Sequence, residues 1–314
     1  MSGALAGLSF RDLEYVAAVA QHLHFGRAAK ACGVSQPALS AQVLKLERYL
    51  GFALFERMST GTRLTDDGVE FARRAVDLVA AARDLLAMPC ANGSAGTCRL
   101  GAIPTLGPFL FAHAIRPIRA AFPGLRLLFT EARTVELICM LREGALDAIL
   151  VCTPPIEAAF EQHELFTEPL LLMHQSEMPP TWPPLHGLLL TLDDEHCLRS
   201  QVLLACGISP GRLDRHATGL HLLHQMVAAG EGVSLVPALA AARLGDAGGM
   251  VAFSPPGLEP IARDVLLLAR RSHPRRSLIA ELADVFRKLN LPLQRNPTWP
   301  RNFEKGDGLC QGGA

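Results

Sequence analysis

The stretch Ser35-Gln36-Pro37-Ala38-Leu39-Ser40-Ala41-Gln42-Val43-Leu44-Lys45-Leu46-Glu47 decides how the N-terminal part of the chain folds. Ser35 is a good helix cap, and Pro37 is tolerated in the first turn, where its missing N–H costs no helical bond. Leu39, Val43 and Leu46 recur at spacings of four and three and form one inward face. Gln36, Ser40, Gln42 and Lys45 are left facing outward. A helix meant only for solvent usually shows Glu/Lys pairs, whereas short amides and hydroxyls read base edges and phosphates in a major groove. An ordinary three-helix packing unit would share the same spacing, so spacing alone leaves both readings open.

Working outward, Gly33 supplies the permissive backbone of a tight turn after a short helix over Phe25–Cys32. Before that, Ser9 can cap a helix whose inward face is Leu13, Val16, Ala17 and Ala20. After the central helix, Leu54-Phe-Glu-Arg57 and Thr60-Gly-Thr-Arg-Leu-Thr65 suggest a basic hairpin wing beside a DNA backbone. Residues 1–65 carry seven Lys and Arg against four acids, a surplus of three in a chain of net charge zero. A basic head on an acidic body suits phosphate contact at one end, although a solvated mixed face would look similar.

Thr65 opens a long helix with Asp66 and Asp67 in its first turn, favourable to the helix dipole. Phe71, Ala75, Leu78, Ala82 and Leu85 repeat as a short heptad seam, which would pair two copies or pack on its own domain. Pro89 ends the helix, and Asn92-Gly-Ser-Ala-Gly reads as a hinge. From about Cys98 to Asn290 short apolar strands alternate with helices, the pattern of a doubly wound α/β domain. Strands are expected over Arg99–Ile103, Leu125–Phe129, Ala148–Cys152, Leu170–His174, Leu188–Leu192, Val233–Pro237 and Val265–Ala269. Helices are expected over Thr134–Glu143 and His221–Ala229. The residues after Asn290 read as a loose tail.

At 314 residues, 49% of them hydrophobic, the chain supports two or three packed domains. No apolar run approaches the ~18–20 residues that span a bilayer, and no signal-peptide pattern opens the chain. A cytoplasmic location without membrane contact is therefore expected. The eight cysteines form neither a C-x-x-C pair nor a zinc spacing, so no metal and no cofactor is expected, and most should be thiols in a reducing compartment.

Phe10-Arg-Asp-Leu-Glu, Phe25-Gly-Arg-Ala-Ala, Val34-Ser-Gln-Pro-Ala-Leu-Ser, Lys45-Leu-Glu, Leu54-Phe-Glu-Arg and Leu64-Thr-Asp-Asp-Gly together resemble the signature of LysR-type transcription regulators. The resemblance implies a winged helix-turn-helix DNA-binding domain over 1–65 and a linker (dimerisation) helix and hinge over 66–92. It further implies a regulatory domain over 93–290 like that of periplasmic solute-binding proteins. That domain would have one subdomain at about 93–160 with 265–290 and a second at about 161–264, followed by a tail over 291–314. On this resemblance Ser35, Gln36 and Pro37 open the recognition helix, Ser40 and Gln42 lie on its DNA face, and Arg57 touches the DNA backbone.

The second informative stretch is Asp193-Asp-Glu-His-Cys197-Leu-Arg-Ser-Gln-Val-Leu-Leu-Ala-Cys206-Gly. Asp194 is a good helix cap, which would place Cys197 in the first turn, where the dipole favours a thiolate. His196 and Arg199 would stabilise that anion further. If the segment is one helix, the two cysteines stand roughly 13 Å apart at ~1.5 Å per residue, whereas a disulfide needs Cα atoms within about 7 Å. Joining them would require the helix to unwind, a physical basis for a two-state switch. The plain alternative is a pair of buried cysteines acting as small apolar residues.

The His-Cys-Leu-Arg-x-Gln run with its second cysteine nine residues on is similar to the redox centre of the peroxide-sensing, OxyR-like branch of LysR-type regulators. Ile103-Pro-Thr-Leu-Gly-Pro, Thr130-Glu-Ala-Arg-Thr134, Met226-Val-Ala-Ala-Gly-Glu-Gly-Val-Ser and Leu267-Leu-Ala-Arg270 follow the same branch. The resemblance makes Cys197 peroxidatic and Cys206 resolving, with Thr105, Thr134, His196 and Arg270 in the peroxide pocket. It implies promoter DNA, RNA polymerase, hydrogen peroxide as signal and a thiol reductant for reset as partners. The assembly implied is a homodimer building a homotetramer, and the protein is an activator-type regulator and not an enzyme. The chain departs from the branch in a short Pro-rich connection between Leu172 and Leu190 and near Arg215-His216. Cys32, Cys90, Cys98, Cys139, Cys152 and Cys310 have no motif support. The rival readings are a LysR-type regulator with a small organic effector in its inter-subdomain cleft, a cysteine peroxidase, and a solute-binding module that senses without DNA.

Overall fold

The structure is a computed structural model that describes residues 7–58, 61–86, 96–153, 157–177, 182–184, 187–194, 196–209, 216–256 and 261–293. Pro89, the 92–95 part of the hinge, Cys90, Arg215, Cys310 and the tail beyond 293 lie outside the described residues. In chain order the elements are α1 (Phe10–His22), α2 (Phe25–Ala31), α3 (Gln36–Leu50), β1 (Phe55–Met58), β2 (Gly61–Leu64), α4 (Asp66–Leu86), β3 (Gly96–Ala102) and α5 (Gly107–Ala121). Next come β4 (Leu125–Glu131), α6 (Thr134–Arg142), β5 (Ala148–Val151), β6 (Phe160–Gln175), β7 (Thr191–Leu192), α7 (Cys197–Ala205) and β8 (His216–Ala217). The chain ends with α8 (Leu220–Ala228), β9 (Ser234–Pro237), α9 (Ala238–Leu244), β10 (Val251–Ser254), β11 (Ala262–Arg270) and α10 (Arg276–Arg287). Among the described residues no helix is long and apolar enough to cross a membrane.

The head is a winged helix-turn-helix. Leu13, Val16 and Val19 of α1, Ala28 and Ala29 of α2, and Leu39, Val43 and Leu46 of α3 share one core. Ser9 caps α1 through a capping box in which its side chain accepts from Asp12 N–H while the Asp12 carboxylate accepts from Ser9 N–H. Asp12 is itself buried and accepts a 2.8 Å bond from Gln42 Nε2. Burial pushes this carboxyl upward, but bonds from the Ser9 hydroxyl and N–H and from Gln42 outweigh it and hold the group below its ordinary 3.8. Gln42, read from spacing as outward-facing, is thus turned toward α1, because a buried carboxylate needs donors more than solvent needs another amide.

The wing is an antiparallel pair with Glu56 opposite Arg63 and Arg57 opposite Thr62. Glu47 of α3 anchors it, its Oε1 accepting from Leu54 N–H at 2.7 Å and Phe55 N–H at 3.1 Å. Helix α4 packs Ala72, Ala75 and Val79 into the head core. The expected heptad seam therefore divides: Ala75 belongs to the head, while Leu78 and Leu85 are 51% and 68% exposed.

The chain divides into two compact units. One holds the described residues up to Phe166, His196 with Cys197, and Asp264–Lys288, and the other holds Thr167–Asp194, Leu198–Arg263 and the residues after Lys288. In the first, β4, β3 and β5 run parallel, and β11 joins β5 antiparallel with Leu266 opposite Val151. In the second, β6 pairs antiparallel with β9 and β10, and β7 with β8 in parallel. Each expected strand falls on an observed one or, for Leu188–Leu192, on the bridge at Leu189 and β7. The first half of β6 and all of β10 went unanticipated; in β6 the unbroken polar run Glu161-Gln162-His163-Glu164 hides the strand.

Gln42→Ala should destabilise the head by about 1.5–3 kcal/mol at neutral pH, the usual loss for a hydrogen bond to a charged group. Because the bond lowers the folded pKa of Asp12, its contribution is present above 3.8 and disappears as pH falls through the folded value. Thermal melts of parent and variant at pH 7 and pH 3 check this, and a gap that is the same at both would contradict it.

Candidate functional site

On α3, Ser35 is the N-cap, its Oγ accepting from Ala38 N–H, and Gln36, Pro37 and Ala38 stand exposed at the helix start. Ser40 is half-buried one turn on, and Lys45 is exposed. Arg57 lies on β1 of the wing. Gln42 ties α3 to α1 through Asp12, and Glu47 ties it to the wing through the N–H groups of Leu54 and Phe55. Position alone puts Gln42, three residues after Leu39 and one before Val43, at the border of the buried stripe without naming its partner.

Helix α7 begins at Cys197 itself. Asp194 therefore lies upstream of the first turn and is not the cap; its Oδ1 instead takes a 2.7 Å ion pair from Arg199 Nε. The buried Arg199 also donates to Thr191 Oγ1 at 2.6 Å and to the Leu192 carbonyl at 3.2 Å. Leu198, Val202 and Leu203 are buried, His196 is buried, and Cys197 is half-buried. The helix closes normally: Cys206 N–H donates to Val202 O at 3.0 Å, and Gly207, at φ +66°, donates to Leu204 O. Both cysteines thus sit on one continuous helical path, separated by about 13 Å at a rise of ~1.5 Å per residue. Burial pushes the Cys206 thiol up to about 11.

Thr105 is buried in the turn before α5, and Thr134 is the first residue of α6. Arg270 ends β11, buried, with Nη1 donating to the carbonyls of Leu141 (2.5 Å) and Leu146 (3.0 Å). Thr105, Thr134, His196, Cys197 and Arg270 belong to the same compact unit, whereas Cys206 belongs to the other. The described cysteines carry no disulfide. Cys98 is fully buried, and burial together with nearby Asp147 pushes its thiol up to about 12, which leaves it inert. Burial likewise raises Cys32 and Cys139.

Comparison with known proteins adds independent findings. Residues 10–69 match the bacterial regulatory helix-turn-helix protein, lysR family, and residues 91–290 match the LysR substrate binding domain. The chain is 37% identical over 294 residues to the DNA-binding transcriptional dual regulator OxyR of Escherichia coli K12, covering 89% of this chain and 95% of that one. It superposes on a cysteine-to-aspartate variant of full-length OxyR from Pseudomonas aeruginosa with a TM-score of 0.64 at 34% identity, covering 90% and 98% of the two chains. It is also similar to a hydrogen-peroxide-bound cysteine-to-serine mutant of OxyR from Corynebacterium glutamicum, at a TM-score of 0.57 and 26% identity over 89% and 93%.

With its thiol at about 11, Cys206 should be roughly one part in ten thousand thiolate at pH 7. In a reduced Cys197→Ser protein, modification of Cys206 by iodoacetamide, followed by peptide mass spectrometry, should accelerate about tenfold per pH unit from pH 7 to 10. A rate that levels off below pH 9 would mean the thiol is not held up by burial.

Proposed function

The chain belongs to the LysR family of bacterial helix-turn-helix regulators, and from that premise we propose that it is a transcription regulator that senses hydrogen peroxide through Cys197 and Cys206. The carrying observation is α7: one cysteine at its first residue and another just past its last, too far apart to bond while the helix stands.

The chemistry follows from that spacing. Cys197 thiolate attacks one peroxide oxygen, the O–O bond breaks, hydroxide leaves, and the sulfur becomes a sulfenic acid. Cys206 then condenses with it, the S–O bond breaks, water leaves, and an S–S bond forms. Two thiols have lost two electrons and the peroxide has gained them. A thiol reductant returns both electrons and resets the sensor. Thr105, Thr134 and His196 are the proposed polar lining for peroxide, in the same unit as Cys197. Arg270 is proposed to act on it through the Leu141 and Leu146 carbonyls it holds.

On DNA, Ser35, Gln36, Pro37 and Ser40 read the groove and Arg57 takes a backbone phosphate. Gln42 is assigned a positioning role through Asp12. A single recognition helix supplies little specificity, and the exposed Leu78 and Leu85 of α4 offer a surface for a second copy. Homodimers assembling to tetramers, with RNA polymerase as the downstream partner, complete the proposal.

Stoichiometric hydrogen peroxide on purified protein should give a Cys197–Cys206 disulfide by mass spectrometry and a shifted DNase footprint. Cys197→Ser should abolish both. A footprint that responds to peroxide equally well without Cys197 would transfer the sensing to an effector site elsewhere in the regulatory domain.

A further inference from the structure

We propose that α6 is the lever through which the linker helix reads the state of Cys197, gripping α4 at Arg83 and at the Ala80–Gly144 contact. This rests on the peroxide reading above.

The two ends of α6 meet the two proposed pocket residues, one as its own first residue and one through hydrogen bonds. Its first residue is Thr134, in the unit that holds Cys197. At its far end the Leu141 carbonyl, and beyond the turn the Leu146 carbonyl, both accept from Arg270 Nη1. Leu137 and Leu141 are fully buried, so the helix moves only as a body.

The same far end is held by the linker. The carbonyl of Glu143, the C-cap of α6, accepts a 2.6 Å bond from Arg83 Nη1. Guanidinium on a helix C-terminal carbonyl is favoured by charge and by the helix dipole together. Gly144 follows at φ +73°, and a Cβ placed there would stand 3.3 Å from Ala80 Cα and 3.5 Å from Ala80 Cβ. Backbone therefore meets helix at this point with no side chain between them. One face of α4 bears Ala80 against the turn after α6, while Ala72, Ala75 and Val79 are set in the core of the DNA-binding head. Displacement of α6 is passed to the recognition helix through packed atoms.

The joint also has room to move. A cavity of about 370 Å³ opens beside it, lined by Arg11 and Glu14 of α1, Cys32 after α2, Arg83 of α4 and Glu143. Close-packed interfaces resist sliding, and unfilled volume beside a one-bond grip is where two arrangements are accessible. Arg83 is exposed, so its removal does not threaten the fold.

The test uses the full chain and a duplex selected from a random library by the wild-type protein. Disulfide formation and DNA affinity, reduced and oxidised, are measured separately. Arg83→Ala should form the Cys197–Cys206 bond as readily as wild type and bind DNA in the reduced state within about twofold of it. Its ratio of oxidised to reduced affinity should drop toward one from the roughly 5–150-fold typical of allosteric coupling. Gly144→Ala, which wedges the contact without touching Arg83, should also shift that ratio. Wild-type ratios in both variants would overturn the lever, even if their melting temperatures fall, because a merely structural joint changes stability and not coupling. Failure of wild type itself to form the disulfide overturns the peroxide reading, and is seen before any variant is made.

Discussion

The rise of an α-helix sets the terms for this molecule. Nine residues separate Cys197 from Cys206, and while α7 stands that is about 13 Å, nearly twice the reach of a disulfide. The proposed disulfide would draw Leu198, Val202 and Leu203 out of their buried places. At about 1.5–3 kcal/mol per side chain the strain has an upper bound of about 5–9 kcal/mol. Since 30 mV corresponds to about 1.4 kcal/mol for a two-electron couple, strain of that size raises the reduction potential by about 100–190 mV. On the proposed reading, a disulfide so burdened would be reducible by ordinary cellular thiols, which separates a signalling bond from a structural one. Burial holds the Cys206 thiol up at about 11, so it is little ionised while the helix stands.

The sheet of the same unit is tied by a buried ion pair. Glu168, wholly buried, accepts from Arg263 at 2.8 and 3.0 Å and from Leu239 N–H at 2.9 Å, joining β6, β11 and the start of α9. Removing one member of such a pair leaves a buried charge without its counter-ion, so the frame resists rearrangement. Arg199 of α7 pairs instead with Asp194, 88% exposed, where solvent screens most of the attraction. Its guanidinium also donates charge-assisted bonds to Thr191 Oγ1 and the Leu192 carbonyl, of a kind worth roughly 1.5–3 kcal/mol each.

Much of this was legible from residue order. The head was, because helix caps, a tight-turn glycine and apolar periodicity are local signals that burial reinforces: Ser9, Ser35, Leu39, Val43 and Leu46 do what their spacing implies. So were most strands of the α/β part. Long-range polar commitments were not legible. Nothing local marks Gln42 as the partner of Asp12, thirty residues away, or sends Arg270 to carbonyls more than a hundred residues upstream. Asp194 was misplaced for a related reason. A cap and an ion-pair partner use the same carboxylate, and the distant competitor, Arg199, is invisible to a rule about the next three residues. The heptad on α4 divided because Ala75 serves the head core while Leu78 and Leu85 do not.

Arg270 shows how these strands of argument meet. A residue expected to line the peroxide pocket spends its Nη1 on the end of α6, at Leu141 and Leu146. That turn carries Glu143 and Gly144, where Arg83 and Ala80 of the linker helix take hold. A buried guanidinium cannot shift alone, since its charge must keep its acceptors, so a change at its own end is carried to the carbonyls it grips. On the proposed reading, sensing and transmission share one side chain, and no separate relay between them is required. The same logic explains why the lever is a short, fully packed helix and not a loop: a loop would absorb the displacement that a helix with Leu137 and Leu141 buried must pass on.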